Sequence, residues 1–105
     1  MPIKKRFSDY IKEKVQSEDN FYGVYELANS SNEIIYIGEG KIRTRLKAHL
    51  PYGQHPVRGA KKYRVEYTYS KRTCEQRERA LQRDFRKKNG RLPSFNLQLG
   101  EIPNL

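Results

Sequence analysis

A carboxylate lies where a helix should present an apolar side chain. At about 100° per residue, Glu78 falls inside the apolar arc of a helix predicted over 74–88. The apolar residues of that arc are Cys74, Leu81 and Phe85. A carboxylate turned toward a protein interior has to be paired, protonated or bound to a cation, because an isolated desolvated charge is costly. Glu78 is therefore a candidate metal ligand, with an ion pair to Arg45 or Arg64 as the structural alternative.

A second set of chemically capable residues, Arg45 and His49, is spaced one helical turn apart. A guanidinium stays charged while an imidazole exchanges its proton near neutral pH, so together they suit binding and then attacking a phosphodiester. A helix of a basic protein also carries Arg and His near its apolar border by chance. The spacing alone leaves both interpretations open.

Hydrophobic periodicity defines the elements that must position these residues. The period changes after Gly40 from two, which is typical of strands, to about three and a half, which is typical of helices. The first predicted elements are a helix over 8–16 capped by Ser8, a hairpin of strands over 21–27 and 33–39, and a helix from 42 to 50. An exposed loop over 51–62 leads to a strand over 63–70 and a helix over 74–88 capped by Thr73. The chain is predicted to close with an extended or edge segment over 92–99 and a flexible tail over 100–105.

Turn-forming residues mark the boundaries of these elements. The small polar run 28–32 predicts the hairpin turn, and the Asn-Gly pair at 89–90 predicts the end of the last helix. We expect Gly38 and Gly40, which come between strand and helix, to serve a tight turn. The order predicts an α+β domain, with a small, mainly antiparallel sheet of three strands flanked by helices, and residues 1–105 forming a single domain.

Composition narrows the class of protein. The 105 residues include 22 Lys and Arg against 12 Asp and Glu, and eight Tyr with four Phe supply a small aromatic core. No apolar run approaches the ~20 residues that span a bilayer, and no apolar leader follows the basic start. We therefore expect a cytoplasmic protein without membrane contact. The single cysteine excludes an internal disulfide.

Positive charge is concentrated in the second half of the chain. Residues 53–105 contain thirteen Lys and Arg and five Asp and Glu. A field of this sign attracts polyanions, and nucleic acids are the abundant polyanions of the cytosol. Basic side chains expected to contact a nucleic-acid backbone, with little sequence preference, are Arg43, Lys47, Arg58, Lys61, Lys62, Arg72 and Arg77.

Two tripeptides of the hairpin carry a family resemblance. GVY at 23–25 and YIG at 36–38 resemble the motif that gives the GIY-YIG nucleases their name. The resemblance spans residues 21–97, and it is to the catalytic domain found at the amino terminus of an excinuclease protein and in homing endonucleases. The later features of that family are matched in order by Arg45, His49, Glu78 and Asn96. The short connection after the second tripeptide leaves Arg43 as an alternative to Arg45.

The resemblance implies a metal-dependent endonuclease that hydrolyses phosphodiester bonds in DNA. Tyr25 would help to take a proton from water, with Tyr36 nearby. Arg45 would contact the phosphate, and His49 would be a second base or phosphate ligand. Asn96 would help to fix the site. Tyrosine is a poor base at neutral pH unless positive charge favours its phenolate.

The same resemblance implies a metal ion and a partner. Glu78 would hold one Mg²⁺ or Mn²⁺, because a hard ion that keeps most of its waters needs few protein ligands. The partner would be DNA at structured or damaged sites, in the cytoplasm or at the nucleoid, with RNA as a second candidate and a partner subunit to supply specificity. Two alternatives belong to other classes: an inactive scaffold that binds nucleic acid, and a protein-interaction adaptor that uses the Tyr-rich face.

Overall fold

The fold is an α+β arrangement in a computed structural model that describes residues 2–96. Its strands are β1 (Ser8–Asp9), β2 (Tyr22–Ala28), β3 (Ile34–Lys41) and β4 (Lys62–Tyr67), and its helices are α1 (Lys12–Gln16), α2 (Ile42–Ala48) and α3 (Lys71–Asn89). All strand pairs are antiparallel, in the order β1-β4-β2-β3. Within the described range, the helices lack the length and apolar character needed to cross a bilayer.

Strands β2 and β3 form an antiparallel hairpin, which confirms the predicted hairpin. Tyr25 pairs with Gly38 in its register. The turn is held by the Asn29 side chain, whose Oδ1 accepts hydrogen bonds from the backbone N–H groups of Ser31 at 2.9 Å and Glu33 at 3.0 Å. Asn can replace a backbone turn in this way, which is why a small polar run ends one strand and starts the next.

The two faces of the sheet bury separate apolar clusters, because successive side chains of a strand point to opposite sides. One cluster packs α1 and α2 on the sheet and includes Tyr25 and Tyr36. The other packs α3 on the sheet and includes Val24, Ile37 and Cys74. The hairpin therefore forms the middle layer between two helical layers.

The prediction of three strands was wrong, because part of the segment assigned to the first helix is a fourth strand. Ser8 pairs with Tyr63 and Asp9 with Lys62 along the free edge of β4. Ser8 therefore caps no helix, and α1 covers only Lys12–Gln16. A two-residue strand has too little pattern to be seen in a sequence, and the helical spacing of nearby apolar residues is the stronger local signal.

The helix predicted over 74–88 begins earlier than expected and ends as expected. Ser70, not Thr73, is the N-cap, since its hydroxyl accepts a hydrogen bond from the Thr73 backbone N–H at 3.2 Å. The helix covers 19 residues and ends at Gly90, whose φ of 75° is the left-handed conformation that glycine adopts without strain. The predicted C-terminal signal is confirmed.

Smaller differences concern the ends of other elements. Helix α2 stops at Ala48, short of the predicted limit, and β4 stops at Tyr67. Residues 92–96 form no strand, since 94–96 are a turn, and the rest of the predicted extended segment and the predicted tail lie outside the described residues.

Replacing the cap of α3 should distinguish the observed cap from the predicted one. Ser70→Ala is expected to lower the free energy of unfolding by about 1 kcal/mol, because the first turn loses its side-chain acceptor. Thr73→Ala, inside the first turn, should change it by less than about 0.5 kcal/mol. Urea unfolding followed by circular dichroism measures both, and equal losses would contradict the assignment.

Candidate functional site

Four of the six residues that carry the family resemblance converge on one place. Tyr25 of β2, Tyr36 of β3, and Arg45 and His49 around α2 form a group that we call the hairpin cluster. The Tyr25 hydroxyl lies 2.8 Å from Nε2 of His49. The ring centroids of Tyr36 and His49 are 4.9 Å apart, and those of Tyr25 and Tyr36 are 6.1 Å apart.

Glycines of β3 make room for this cluster. A Cβ on Gly38 would overlap the phenol of Tyr25, which lies across it from the paired strand. A Cβ on Gly40 would lie 2.9 Å from Cγ of Arg45, and Gly40 also has a φ of 134°. The expectation of a tight turn was wrong, since both glycines lie within β3. Their role is to let side chains from β2 and α2 pass close to the strand.

The hydrogen bonds around His49 fix its tautomer. Nδ1 of His49 lies 2.8 Å from the backbone carbonyl oxygen of His55, which can only accept. Nδ1 therefore carries the proton of the neutral ring, and Nε2 is left as an acceptor. It follows that the Tyr25 hydroxyl donates to His49, so its oxygen keeps its lone pairs for another donor.

Burial keeps His49 neutral. The side chain is 1% exposed, and this desolvation lowers the pKa of His49 to about 4, with the nearby charge of Arg45 acting in the same direction. The hydrogen bond to the His55 carbonyl acts in the opposite direction but does not restore the ordinary value. The neutral imidazole therefore offers Nε2 as a hydrogen-bond acceptor at pH 7, and its low pKa makes it a weak base.

Arg45 supplies the positive charge of the cluster. Partial burial lowers the pKa of its guanidinium. Charge interactions and hydrogen bonding with Tyr25 and Tyr36 raise this pKa by more, so the net shift is upward. Burial raises the pKa of Tyr25 well above its usual value, followed by the effect of Tyr36, while Arg45 acts to lower it. The guanidinium is thus the group that would favour a Tyr25 phenolate.

Asn96 lies at the edge of the sheet and holds β3. Its Oδ1 accepts a hydrogen bond from the Ile37 backbone N–H at 3.0 Å, and its Nδ2 donates to the Ile37 carbonyl at 2.8 Å. The side chain is 1% exposed. Asn96 therefore fixes the residue next to Tyr36 in position.

Glu78 lies on the other side of the sheet from the hairpin cluster, on α3. It is half-buried and lies one turn after Cys74 and one turn before Gln82. These two neighbours reach Glu39 at 3.2 Å and the Ile37 carbonyl at 3.4 Å. Glu78 therefore faces the stretch of β3 around Gly38, whose opposite face carries Tyr25.

The arginines proposed as structural partners of Glu78 have other interactions. Arg64 forms an ion pair with Glu26, which is 2% exposed, and Arg45 faces the two phenols. Burial raises the pKa of Glu26, although its hydrogen bond and charge interaction with Arg64 act to lower it.

The predicted nucleic-acid-binding residues lie on several elements, and three of them contact other protein groups. Arg77 binds the Glu66 carboxylate through two nitrogens, at 2.7 and 3.1 Å. Lys62 lies 3.7 Å from Asp9, and Arg43 donates to the Glu18 carbonyl at 3.3 Å. The fully exposed members of the set are Lys47, Arg58, Lys61 and Arg72. They are spread over α2, the loop before β4 and the start of α3.

One partner in the cluster could not be found from residue types. The acceptor that orients His49 is the main-chain carbonyl of His55, and every residue carries such a group. The only sequence signal is indirect, since a loop that follows α2 closely can fold back onto the end of the helix. His55 itself is exposed and contributes no side chain to the cluster.

The chain belongs to the family described as a domain of unknown function (DUF7508), which matches residues 1–88. The match includes the hairpin, α2 and most of α3, and Asn96 follows it. The sequence matches no curated protein.

Removing the Asn96 side chain should destabilise the fold. Asn96→Ala would leave buried main-chain groups of Ile37 without their side-chain partner, so we expect a loss of about 1–3 kcal/mol in the free energy of unfolding. Asn89→Ala is the matched control, because Asn89 is exposed and makes one local hydrogen bond to Phe85. Denaturant unfolding of both variants measures the loss of stability. If Asn96→Ala lost no more than Asn89→Ala, the hydrogen bonds between Asn96 and Ile37 would contribute nothing to the stability of the fold.

The low pKa of His49 predicts an acid-sensitive fold. An unfolded histidine titrates near 6.5 while native His49 titrates near 4, so the unfolded state binds the proton first as pH falls. The contribution of this residue to stability should be complete above pH 6.5 and fall by about 3 kcal/mol as pH drops to 4. His49→Gln, which cannot titrate, should lose less stability between pH 7 and pH 4.5. Equal losses for both proteins would contradict the assignment.

Proposed function

We propose that this chain is a metal-dependent endonuclease domain of the GIY-YIG type that hydrolyses phosphodiester bonds in DNA, at structured or damaged sites. The observation that supports the proposal is the convergence of Tyr25, His49, Arg45 and Tyr36 around Gly38. Tyrosines at these two hairpin positions could be ordinary strand residues. Their common contact with a neutral imidazole and a guanidinium is what favours a catalytic role over a purely structural one.

The proton transfer within the cluster follows from the tautomer of His49. Nε2 of His49 is placed to take the phenolic proton of Tyr25, but the transfer requires water to enter the cluster, because burial raises the pKa of Tyr25 and lowers that of His49. The oxygen that remains would carry negative charge beside Arg45. That oxygen can then take a proton from the water that attacks phosphorus. A guanidinium also suits the phosphoryl oxygens, because its planar donors match their geometry.

The residues around Glu78 are compatible with a single hard cation. Glu78 is a half-buried carboxylate, and Glu39 lies alongside through its contact with Cys74, so the available donors are oxygens. Over residues 2–96, no three His, Cys, Asp or Glu side chains gather into a larger set of ligands. A Mg²⁺ or Mn²⁺ ion held there would stabilise the charge of a leaving oxygen. Because Glu78 and the hairpin cluster lie on opposite faces of the sheet, this role requires the phosphodiester to reach both around the edge strand β3.

Hydrolysis requires that a phosphate and a water molecule reach the hairpin cluster. Tyr25 is 0% exposed and Tyr36 is 6% exposed, whereas Arg45 is only half-buried. A phosphate can therefore approach the cluster from the side of Arg45. For hydrolysis, the cluster must open enough to admit water to Tyr25 while the guanidinium still lies beside the phenol.

The full burial of Tyr25 favours a second candidate function, a nucleic-acid-binding module without catalysis. In that case the hairpin cluster is part of the core, and binding depends on charge. The outer face of α3 carries arginines at helical spacing, all of them exposed: Arg72, Arg79, Arg83 and Arg86. Such a surface would contact phosphates with strong salt dependence.

Cleavage assays separate the two candidates. The full chain is incubated with labelled single-stranded, duplex and branched DNA in Mg²⁺ or Mn²⁺, with EDTA as the metal-free control. Glu78→Gln should reduce the cleavage rate by about 100-fold or more, because it removes the charged ligand. Glu75→Gln, on the same helix three residues earlier, should change it less than about twofold.

The outcomes of these assays are distinct. Cleavage that depends on Glu78 and on metal supports the endonuclease. If the wild-type chain binds DNA in a salt-dependent way but cuts none of the three substrates, the endonuclease proposal is wrong and the binding module is favoured.

A further inference from the structure

Exposed aromatic rings gather at one end of the sheet, outside the hairpin cluster. Phe21 is 53% exposed and Tyr69 is 69% exposed. The ring centroids of Phe21 and Tyr69 are 5.7 Å apart, and Tyr69 stacks on Tyr67 at 5.9 Å with an angle of 23° between the rings. We call these three residues the aromatic platform. Exposed aromatic groups in contact with one another usually mark a binding surface.

The inner ring of the platform is firmly held. The Tyr67 hydroxyl donates to Oε1 of Glu18 at 2.7 Å and accepts from the Asp19 backbone N–H at 3.0 Å. The second oxygen of the Glu18 carboxylate accepts from the Tyr63 hydroxyl at 2.7 Å. These bonds fix the ring of Tyr67 and use both oxygens of the nearest carboxylate.

The outer ring is presented by an unfavourable backbone conformation. Tyr69 has a φ of 62°, in the left-handed region that residues with large side chains rarely adopt. Its backbone N–H donates to the Tyr22 carbonyl at 3.0 Å, which holds this conformation. A strained backbone of this kind is retained where the position of the side chain matters more than the free energy that the conformation costs.

Positive charge borders the platform. Lys71 and Arg72 are exposed and follow Tyr69 closely in the chain. Two acidic neighbours, Glu18 and Asp19, make their contacts with the hydroxyl of Tyr67.

The platform and the hairpin cluster share one face of the sheet. Tyr67 pairs with Gly23, and Gly23 pairs with Gly40, the residue over which Arg45 lies. Adjacent strands are about 4.8 Å apart, so the backbones of Tyr67 and Gly40 are separated by about 10 Å. Neighbouring nucleotides of one strand can span that distance.

We propose that the aromatic platform stacks an unpaired base of a nucleic-acid strand whose backbone follows Lys71 and Arg72. The inference rests on the proposed function and specifies its substrate as one with unpaired nucleotides. Ring faces in basic surroundings suit a base attached to a phosphate chain, because every base has an apolar face and every nucleotide a negative charge. A base inside a duplex is not accessible to such a surface.

Binding of a short fluorescein-labelled DNA strand, alone and in duplex, tests the platform by fluorescence anisotropy. Tyr69→Ala should weaken binding of the single strand by about 10- to 100-fold and leave duplex binding within about twofold. The salt dependence should not change, because no cation is removed. Tyr52→Ala is the matched control, since Tyr52 is also 69% exposed but lies in the loop after α2, and it should have no effect.

Tyr69→Gly separates binding from stability. Glycine adopts the left-handed conformation freely, so this variant should melt at a higher temperature than Tyr69→Ala, while both lose single-strand binding equally. A structural role for the ring would instead make binding follow melting temperature.

Three results would overturn the inference. Equal weakening of single-strand and duplex binding by Tyr69→Ala would show general nucleic-acid binding without a stacked base, and would leave the proposed function standing. Self-association of the wild-type chain that Tyr69→Ala abolishes, seen by sedimentation, would assign the platform to contact between copies. If the wild-type chain bound neither the single strand nor the duplex, both the inference about the platform and the proposed function would be wrong.

Discussion

The contact between the Tyr25 phenol and Gly38 is the constraint on which the candidate site depends. Tyr25 reaches Nε2 of His49 only because nothing but backbone lies beneath its ring on the neighbouring strand. The pairing register of β2 and β3 sets this contact, and a shift by one residue would turn Tyr25 to the opposite face. The pairing register of the hairpin therefore decides whether the side chains of the cluster can meet.

The cluster combines a group that is kept neutral with a group that is kept charged. His49 is fully buried and loses its charge, whereas Arg45 is half-buried and keeps it. Between them lies the Tyr25 hydroxyl, which donates to the first and can accept from the second. Burial thus fixes the hydrogen bond between Tyr25 and His49 and at the same time limits access to it, and this balance is what separates the two candidate functions.

Residue patterns were sufficient for some elements and insufficient for others. The hairpin, the class of the fold and the end of α3 at Gly90 follow from local signals, namely alternation, a polar turn and a left-handed glycine. The strand at Ser8–Asp9 exists because the edge of β4 is free to pair, which no local pattern records. Likewise, helical spacing shows that Glu78 faces the sheet, but which side of the sheet α3 covers depends on how the chain crosses from β4.

The turn at 94–96 has a consequence for association between molecules. Strand β3 is the outer strand of the sheet, and such a strand offers free main-chain groups to a strand from another protein. The Asn96 side chain occupies both groups of Ile37, and the Phe95 N–H occupies the Ile35 carbonyl at 2.9 Å. The segment therefore prevents a foreign strand from pairing with β3 at Ile35 and Ile37, and so blocks extension of the sheet there.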